Sequence, residues 1–326
     1  MMIKNQEIMT INNPFVAKPF FLVGAERSGT TLLRLMLDRH PQIAWCSESE
    51  YMVDCISDAG NFPNLAEYYE WLETQRIFMK NGFEIDRSLT FPQLLNDFLR
   101  QRLERTGKPI IGATVHRHFD RLLKIWPDAY FIHIIRDGRD VASSCIGMGW
   151  AGNVWTGIDR WIDAESLWER LKEDVPAQRR IEVQYERLIR DPAKELTAVC
   201  DFIGIPYDPL MLTYPQTTTY SFPDPKLIEQ WRYKLSREEI RLIESRISDM
   251  LVKRGYELSG LSPLQVTASR RWQLRLQDWW ARWVFRIKRY GLALFLLDYL
   301  SRRLRLRQWQ KRIKLQLNAI DTAYLK

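Results

Sequence analysis

The sequence predicts an α/β protein, a P-loop-like three-layer sandwich in which a mainly parallel sheet lies between helices, with a helical C-terminal extension appended. Three observations carry that expectation. The stretch FFLVGAERSGTTLL, Phe20 to Leu33, passes from an apolar run through a glycine-bearing polar loop into a second apolar run, the order of a buried strand, an anion-binding loop and a helix. Further short apolar runs, such as Tyr130 to Ile135 and Ile181 to Tyr185, are separated by stretches of helical periodicity, as parallel strands joined by crossovers require. From Arg270 onward the chain carries 15 Lys or Arg against three acids, a local net charge of +12 in a protein whose total is +8. The basic character belongs to the tail. The expected division is therefore an N-terminal arm (1–17), an α/β domain (18–258) and a basic, Trp-rich, amphipathic helical extension (259–326).

The arm lacks the apolar core and small-residue cleavage site of a signal peptide, and no run of about eighteen apolar residues predicts a membrane span. Four cysteines without a CxxC pair suggest neither a zinc site nor a disulfide framework, so a cytoplasmic protein is expected. In the loop after the first strand, Gly24 and Gly29 permit a sharp turn and close approach of a ligand to the backbone. The N–H groups of Ser28 to Thr31 open a helix, so an anion there meets unpaired donors and the positive end of the helix dipole. The GxxxxG spacing matches a nucleotide P-loop, but Thr30 stands where a kinase or ATPase has lysine. Such a loop suits a single terminal phosphate better than a metal-bound triphosphate, with Arg27 supplying the fixed charge.

The helix Thr30 to Arg39 ends at His40-Pro41, and Gln42 to Tyr51 reads as a short strand closing in a carboxylate-bearing loop. Residues 52–90, rich in aromatics, read as helices and loops that either wall an acceptor pocket or pack on the sheet. Thr90, Pro92 and Gln93 open a helix with a capping box, and Gly107 follows its end. Pro109 to Gly112 reads as a strand, Phe119 to Ile125 as a short helix, and Asp137 as the cap of a helix carrying Ser144. His133, in an apolar strand, is expected to be a hydrogen-bonded core histidine. A stripe from Trp161 to Leu171, the pair Asp191-Pro192 with Gly204, and the capping box Ser236/Glu239 mark three more helices.

Two of these segments carry a resemblance. GAERSGTTLLRLMLDRHP, Gly24 to Pro41, is similar to the 5′-phosphosulfate loop of sulfotransferases that use 3′-phosphoadenosine 5′-phosphosulfate, including bacterial members and protein-tyrosine sulfotransferases. YFIHIIRDGRDVASS, Tyr130 to Ser144, resembles their 3′-phosphate motif, and VQYERLIRDPAKELTAVCDFIGIPYDP their late segment. The resemblance covers about residues 18 to 258. It implies that Arg27, Ser28, Gly29, Thr30 and Thr31 hold the 5′-phosphate, that Arg136 and Ser144 grip the 3′-phosphate, and that Tyr185 lies near the adenosine. It implies a catalytic role for Glu48, eight residues after His40, as the base of the tyrosine sulfotransferases and many bacterial relatives. His116, close to the position of the catalytic histidine in cytosolic sulfotransferases, is the second candidate base, and Arg27 serves the leaving phosphate. Glu50 is read as a surface carboxylate. Ala113 departs from the pattern, since many relatives carry a lysine there. The nucleotide is a co-substrate and no metal is required.

In the tail, Trp272, Leu276, Trp279, Trp280, Trp283, Ile287 and Tyr290 fall on one helical face, with Arg271, Arg275, Arg282, Arg286 and Arg289 along a flank. Such a helix either lies on an anionic membrane surface or packs on its own domain. Nucleic acid is not expected, because the aromatics are segregated to a helical face and form no stacking platform. The expected activity is sulfuryl transfer to a hydroxyl of a glycan, lipid, peptide or small molecule. The alternatives are a P-loop nucleotide or small-molecule kinase, which Thr30 opposes, and a non-catalytic membrane-tethered nucleotide-binding module.

Overall fold

The computed structural model describes residues 16, 18–304 and 306–324, so all of the 1–17 arm except Val16 lies outside the described residues. Its centre is a five-stranded, wholly parallel sheet of β1 (Phe20–Val23), β2 (Ile43–Glu48), β3 (Ile110–Val115), β4 (Tyr130–Ile135) and β5 (Arg180–Gln184), in the order β2-β3-β1-β4-β5. All of β1 is buried, with Phe20 and Leu22 on one face and Phe21 and Val23 on the other, which is why an unbroken apolar run marks it. Because β1 is central, with β3 on one side and β4 on the other, the chain leaves it where strand order reverses. In parallel sheets ligand clefts open at that point, beyond the carboxyl ends of the strands.

The helices in chain order are α1 (Thr30–Arg39), α2 (Leu65–Leu72), α3 (Arg76–Asn81), α4 (Phe91–Thr106), α5 (Gly138–Gly147), α6 (Val154–Gly157), α7 (Asp159–Asp174), α8 (Tyr185–Arg190), α9 (Pro192–Ile203), α10 (Trp231–Lys234), α11 (Arg237–Lys253), α12 (Ala268–Tyr290), α13 (Leu292–Arg303) and α14 (Arg307–Tyr324). Helices α1, α8 and α9 cover the Phe20 and Leu22 face, and α2, α3, α4 and α7 cover the Phe21 and Val23 face. A third apolar cluster joins α5, α6 and α11. The local signals act as read. Capping boxes form at Thr90/Gln93 and Ser236/Glu239, Asp137 accepts from the Arg139 N–H, and Gly107 and Gly204 end α4 and α9 in the left-handed conformation.

Two readings change, and between two left open the packed layer prevails. Strand β3 does not stop at Gly112 but runs on to Val115, because Ala113, Thr114 and Val115 continue the register against Phe21, Leu22 and Val23. Strand β5 ends at Gln184, and Tyr185 begins α8. Residues 52–90 are chiefly a packed layer. Tyr68, Tyr69, Phe78 and Phe83 are buried in the core around Phe98, and Phe62 alone of these aromatics is exposed.

Two helices of the extension, α12 and α14, return to the α/β domain. In α12, Leu274 is buried and the Asp278 carboxylate accepts from the Gly152 N–H at 2.7 Å and the Thr156 hydroxyl at 2.6 Å. A Cβ at Gly152 would stand 2.7 Å from the Asp278 carbonyl oxygen, and one at Gly149 would stand 2.1 Å from the Phe285 ring, so α12 seats where the chain presents no side chain. Helix α14 bonds to Glu73 through Lys311, and to Thr74 through Lys314 Nζ (3.0 Å) and Asn318 Nδ2 (2.9 Å).

Candidate active site

The loop between β1 and α1 holds three residues with positive φ: Gly24 (141°), Arg27 (72°) and Gly29 (96°). A Cβ on Gly29 would lie 2.3 Å from the Tyr185 ring, so the loop is pressed flat onto that side chain. The first backbone bond of α1 runs from the Leu33 N–H to the Gly29 carbonyl, and no side chain caps the helix. The N–H groups of Thr30 to Leu32 therefore face outward as the positive end of the helix dipole. Beside them the Ser28 hydroxyl is buried without a partner. A buried orphan hydroxyl beside free helix-end donors fits an anion with several acceptor oxygens.

The second motif meets the first. Arg27 Nε donates to Ser144 Oγ at 2.9 Å, and Arg136 Nη1 donates to the Arg27 carbonyl at 3.3 Å. Arg136 Nη2 also reaches the Leu227 carbonyl (2.7 Å) and Asp140 (3.3 Å), tying the 225–227 turn to the loop. The Arg136 guanidinium lies 4.6 Å from the centre of the Tyr185 ring. Tyr185 is almost wholly buried between Gly29 and Arg136, so it supports both motifs from beneath. Arg232 is exposed and paired with Glu229.

At the end of β3, His116 joins the loop to a carboxylate. Its Nε2 lies 2.9 Å from Thr30 Oγ1, and its Nδ1 lies 2.5 Å from Glu50 Oε1, which also accepts from the His116 N–H at 3.1 Å. Glu50 is thus not a surface carboxylate: its side chain is 13 % exposed and that of His116 5 %. Burial opposes a charge on His116, but the Glu50 carboxylate, helped by Glu26 and Glu48, outweighs it and raises the imidazole from 6.5 to about 8. Burial also opposes charge on Glu50, but the His116 ring and its hydrogen bond hold it below its ordinary value. Sequence reasoning missed Glu50. Its spacing from Glu48 is unremarked in any motif, and its partner lies 66 residues away.

Glu48 ends β2 opposite Thr114, half-buried, and among the described residues its carboxylate makes no hydrogen bond or ion pair. His116 lines a cleft of about 1140 Å³ walled by the 57–60 loop, the 116–124 turn, α7 and, from the extension, Arg275 and Trp279. Glu26, between the loop and this cleft, pairs with Arg160. His133 is a core residue as expected, stacked on Trp168 with ring centres 4.5 Å apart and bonded to Glu165.

Comparison with known proteins identifies the family and the fold. A family model described as the sulfotransferase family matches residues 19–209. Protein-tyrosine sulfotransferase 1 of Danio rerio is 26 % identical over 227 residues, covering 63 % of this chain and 59 % of that protein. The omega-hydroxy-beta-dihydromenaquinone-9 sulfotransferase of Mycobacterium bovis is 24 % identical over 266 residues, covering 76 % of this chain and 65 % of that protein. The chain spans between 42 % and 60 % of the length of four protein-tyrosine sulfotransferases that it matches. In fold, the sulfotransferase domain from the curacin biosynthetic pathway superposes with a TM-score of 0.52 at 16 % identity, over 74 % of this chain and 99 % of that one. A parallel sheet with a lysine-free anion loop at its switch point, matched over more than half its length by the family model, makes this chain a member of the sulfotransferase family.

Proposed function

We propose that the protein transfers a sulfuryl group from 3′-phosphoadenosine 5′-phosphosulfate to an acceptor hydroxyl, with residues 18–258 as the catalytic unit. The observation that carries this is the convergence of two anion motifs on one another, through Arg27 and Ser144, beside a histidine that touches the loop. The donor supplies a sulfuryl group whose bond to the 5′-phosphate oxygen breaks as a bond to the acceptor oxygen forms. Arg136 and Ser144 hold the 3′-phosphate. The Ser28 N–H is spent on the Ala25 carbonyl, so the N–H groups of Thr30 to Leu32, the Ser28 hydroxyl and Arg27 hold the 5′-phosphate and stabilise its growing charge.

His116 Nε2 takes the acceptor proton, while Glu50 fixes the tautomer by accepting from Nδ1. Position in the acceptor cleft favours His116 over Glu48. Glu48 is the second reading, favoured by its unpaired carboxylate. The acceptor is a hydroxyl compound admitted through the cleft, and the extension gives the domain a contact with an anionic membrane surface.

The test is calorimetric titration with adenosine 3′,5′-bisphosphate and with magnesium ATP, on the wild type and on Arg136→Ala. Binding of the bisphosphate without metal, weakened by about a hundredfold or more in the variant, supports the reading; preference for magnesium ATP refutes it. Turnover of His116→Asn against Glu48→Gln then assigns the base.

A further inference from the structure

The extension docks on its own domain with one face and leaves another uncovered. On α12 the docking face is Leu274, Asp278, Ala281 and Phe285, whereas Trp272, Leu276, Trp279 and Trp280 are exposed, Trp272 at 65 % and Trp280 at 62 %. On α13, Leu292, Leu296, Tyr299 and Leu300 are exposed as well. The two faces are continuous, since Trp283 bridges them: its ring lies 4.6 Å from Trp279 on one side and 5.9 Å from Tyr299 on the other. More than half of the large exposed apolar side chains among the described residues lie between Trp272 and Tyr324, a small fraction of the chain. Single exposed apolar residues are ordinary; a continuous two-helix face is not.

Charge decides what covers it. The extension has three acids, and each is turned inward onto a cation: Asp278 onto Arg282, Asp298 onto Arg286 and Arg302, Asp321 onto Arg289. The extension's charge left exposed on the flank of the tryptophan face is cationic, from Arg271 and Arg275 on α12 and from Arg303, bonded to Tyr299, on α13. A second copy of the same face would bring like charges together, whereas an anionic lipid surface complements them and accepts tryptophan at headgroup depth. No helix among the described residues is long and apolar enough to cross a membrane, so the pair must lie in the interface plane.

We propose that α12 and α13 together form an interfacial face that binds anionic bilayers in plane, with Trp272, Trp279 and Trp280 inserted among the headgroups and the flanking arginines on lipid phosphates. Because α12 also walls the cleft, through Arg275 and Trp279, docking sets the mouth of that cleft at the lipid surface. This deepens the membrane contact proposed for the extension and does not depend on the transfer chemistry.

The test is flotation of the full-length protein with vesicles of phosphatidylcholine alone or mixed with phosphatidylglycerol, beside the double variant Trp272→Glu/Trp280→Glu. The wild type should float with the anionic vesicles and more weakly with the neutral ones. The double variant should lose about tenfold or more of that partitioning, while its titration with adenosine 3′,5′-bisphosphate stays unchanged. Equal flotation of wild type and variant, or no flotation of the wild type with anionic vesicles, overturns the proposal. So does light scattering that shows a dimer dispersed by the two substitutions, which would assign the face to a second copy.

Discussion

Replacing Glu50 by glutamine keeps the shape of the contact with His116 and removes its charge. Both side chains are shielded from solvent, at 13 % and 5 % exposure, so little of the interaction is screened. Raising His116 from 6.5 to about 8 amounts to about 2 kcal/mol in favour of the imidazolium. A base must be neutral to accept a proton, so wild-type turnover should rise with pH and reach half its plateau near pH 8. In Glu50→Gln, burial is opposed only by the more distant Glu26 and Glu48, and the midpoint should fall toward the ordinary 6.5. The plateau should drop by less than the about 10²–10⁴-fold that loss of a general base costs.

Stability gives a second readout with its own sign. A histidine whose folded pKa is raised stabilises the fold fully below 6.5 and loses that contribution as pH rises through about 8. On the acid side, Glu50 is held below its ordinary 4.5, so its contribution is present above that value and fades as pH falls. The variant should therefore be less stable than wild type by up to about 2 kcal/mol near pH 6, with the gap closing above pH 8. Urea unfolding across this range measures it. An unchanged turnover midpoint in the variant, or a stability gap that widens as pH rises, would refute the reasoning.

Gly29→Ala puts a methyl group 2.3 Å from the Tyr185 ring at a φ of 96°, and should cost about 1–3 kcal/mol in thermal stability along with bisphosphate binding. Tyr185→Leu should weaken bisphosphate binding by about 1–2 kcal/mol through the lost contact with Arg136. Tyr185→Phe should leave binding unchanged, and a loss there would point instead to a role for the hydroxyl. Asp278→Ala removes the acceptor for Gly152 and Thr156 and the partner of Arg282, a loss of about 3 kcal/mol that should speed hydrogen exchange in α12 but not in β1.

The parts of this molecule that were readable in the sequence are those fixed by neighbours along the chain. Phe20 to Val23 is apolar at every position because both faces of a central parallel strand are buried, and Thr90/Gln93 and Ser236/Glu239 satisfy helix ends within three residues. The anion loop is local too, since its glycines and its helix start lie in one short string. What escaped is non-local. Glu50 is defined by a ring 66 residues away, and Asp278 by a backbone N–H 126 residues away. The tail's periodicity left two options open, membrane or self-packing; the structure shows the self-packed face and leaves Trp272, Trp279 and Trp280 exposed. The α12 docking face was invisible to pattern reading because its seat includes Gly149 and Gly152, which leave no apolar signature.

The seat of α14 sets a timetable for synthesis. Its bonds to Thr74 join residues up to 244 positions apart, so the segment 52–90 leaves the ribosome long before its C-terminal partner exists. At about 5–20 residues per second the delay is about 12–50 s, during which the earlier-made domain is free to fold as a unit. The α/β domain must then hold its aromatic layer together unaided, and the extension closes over the finished domain as the last event of folding. A nascent chain arrested at about residue 260 should therefore already resist proteolysis in β1 to β5.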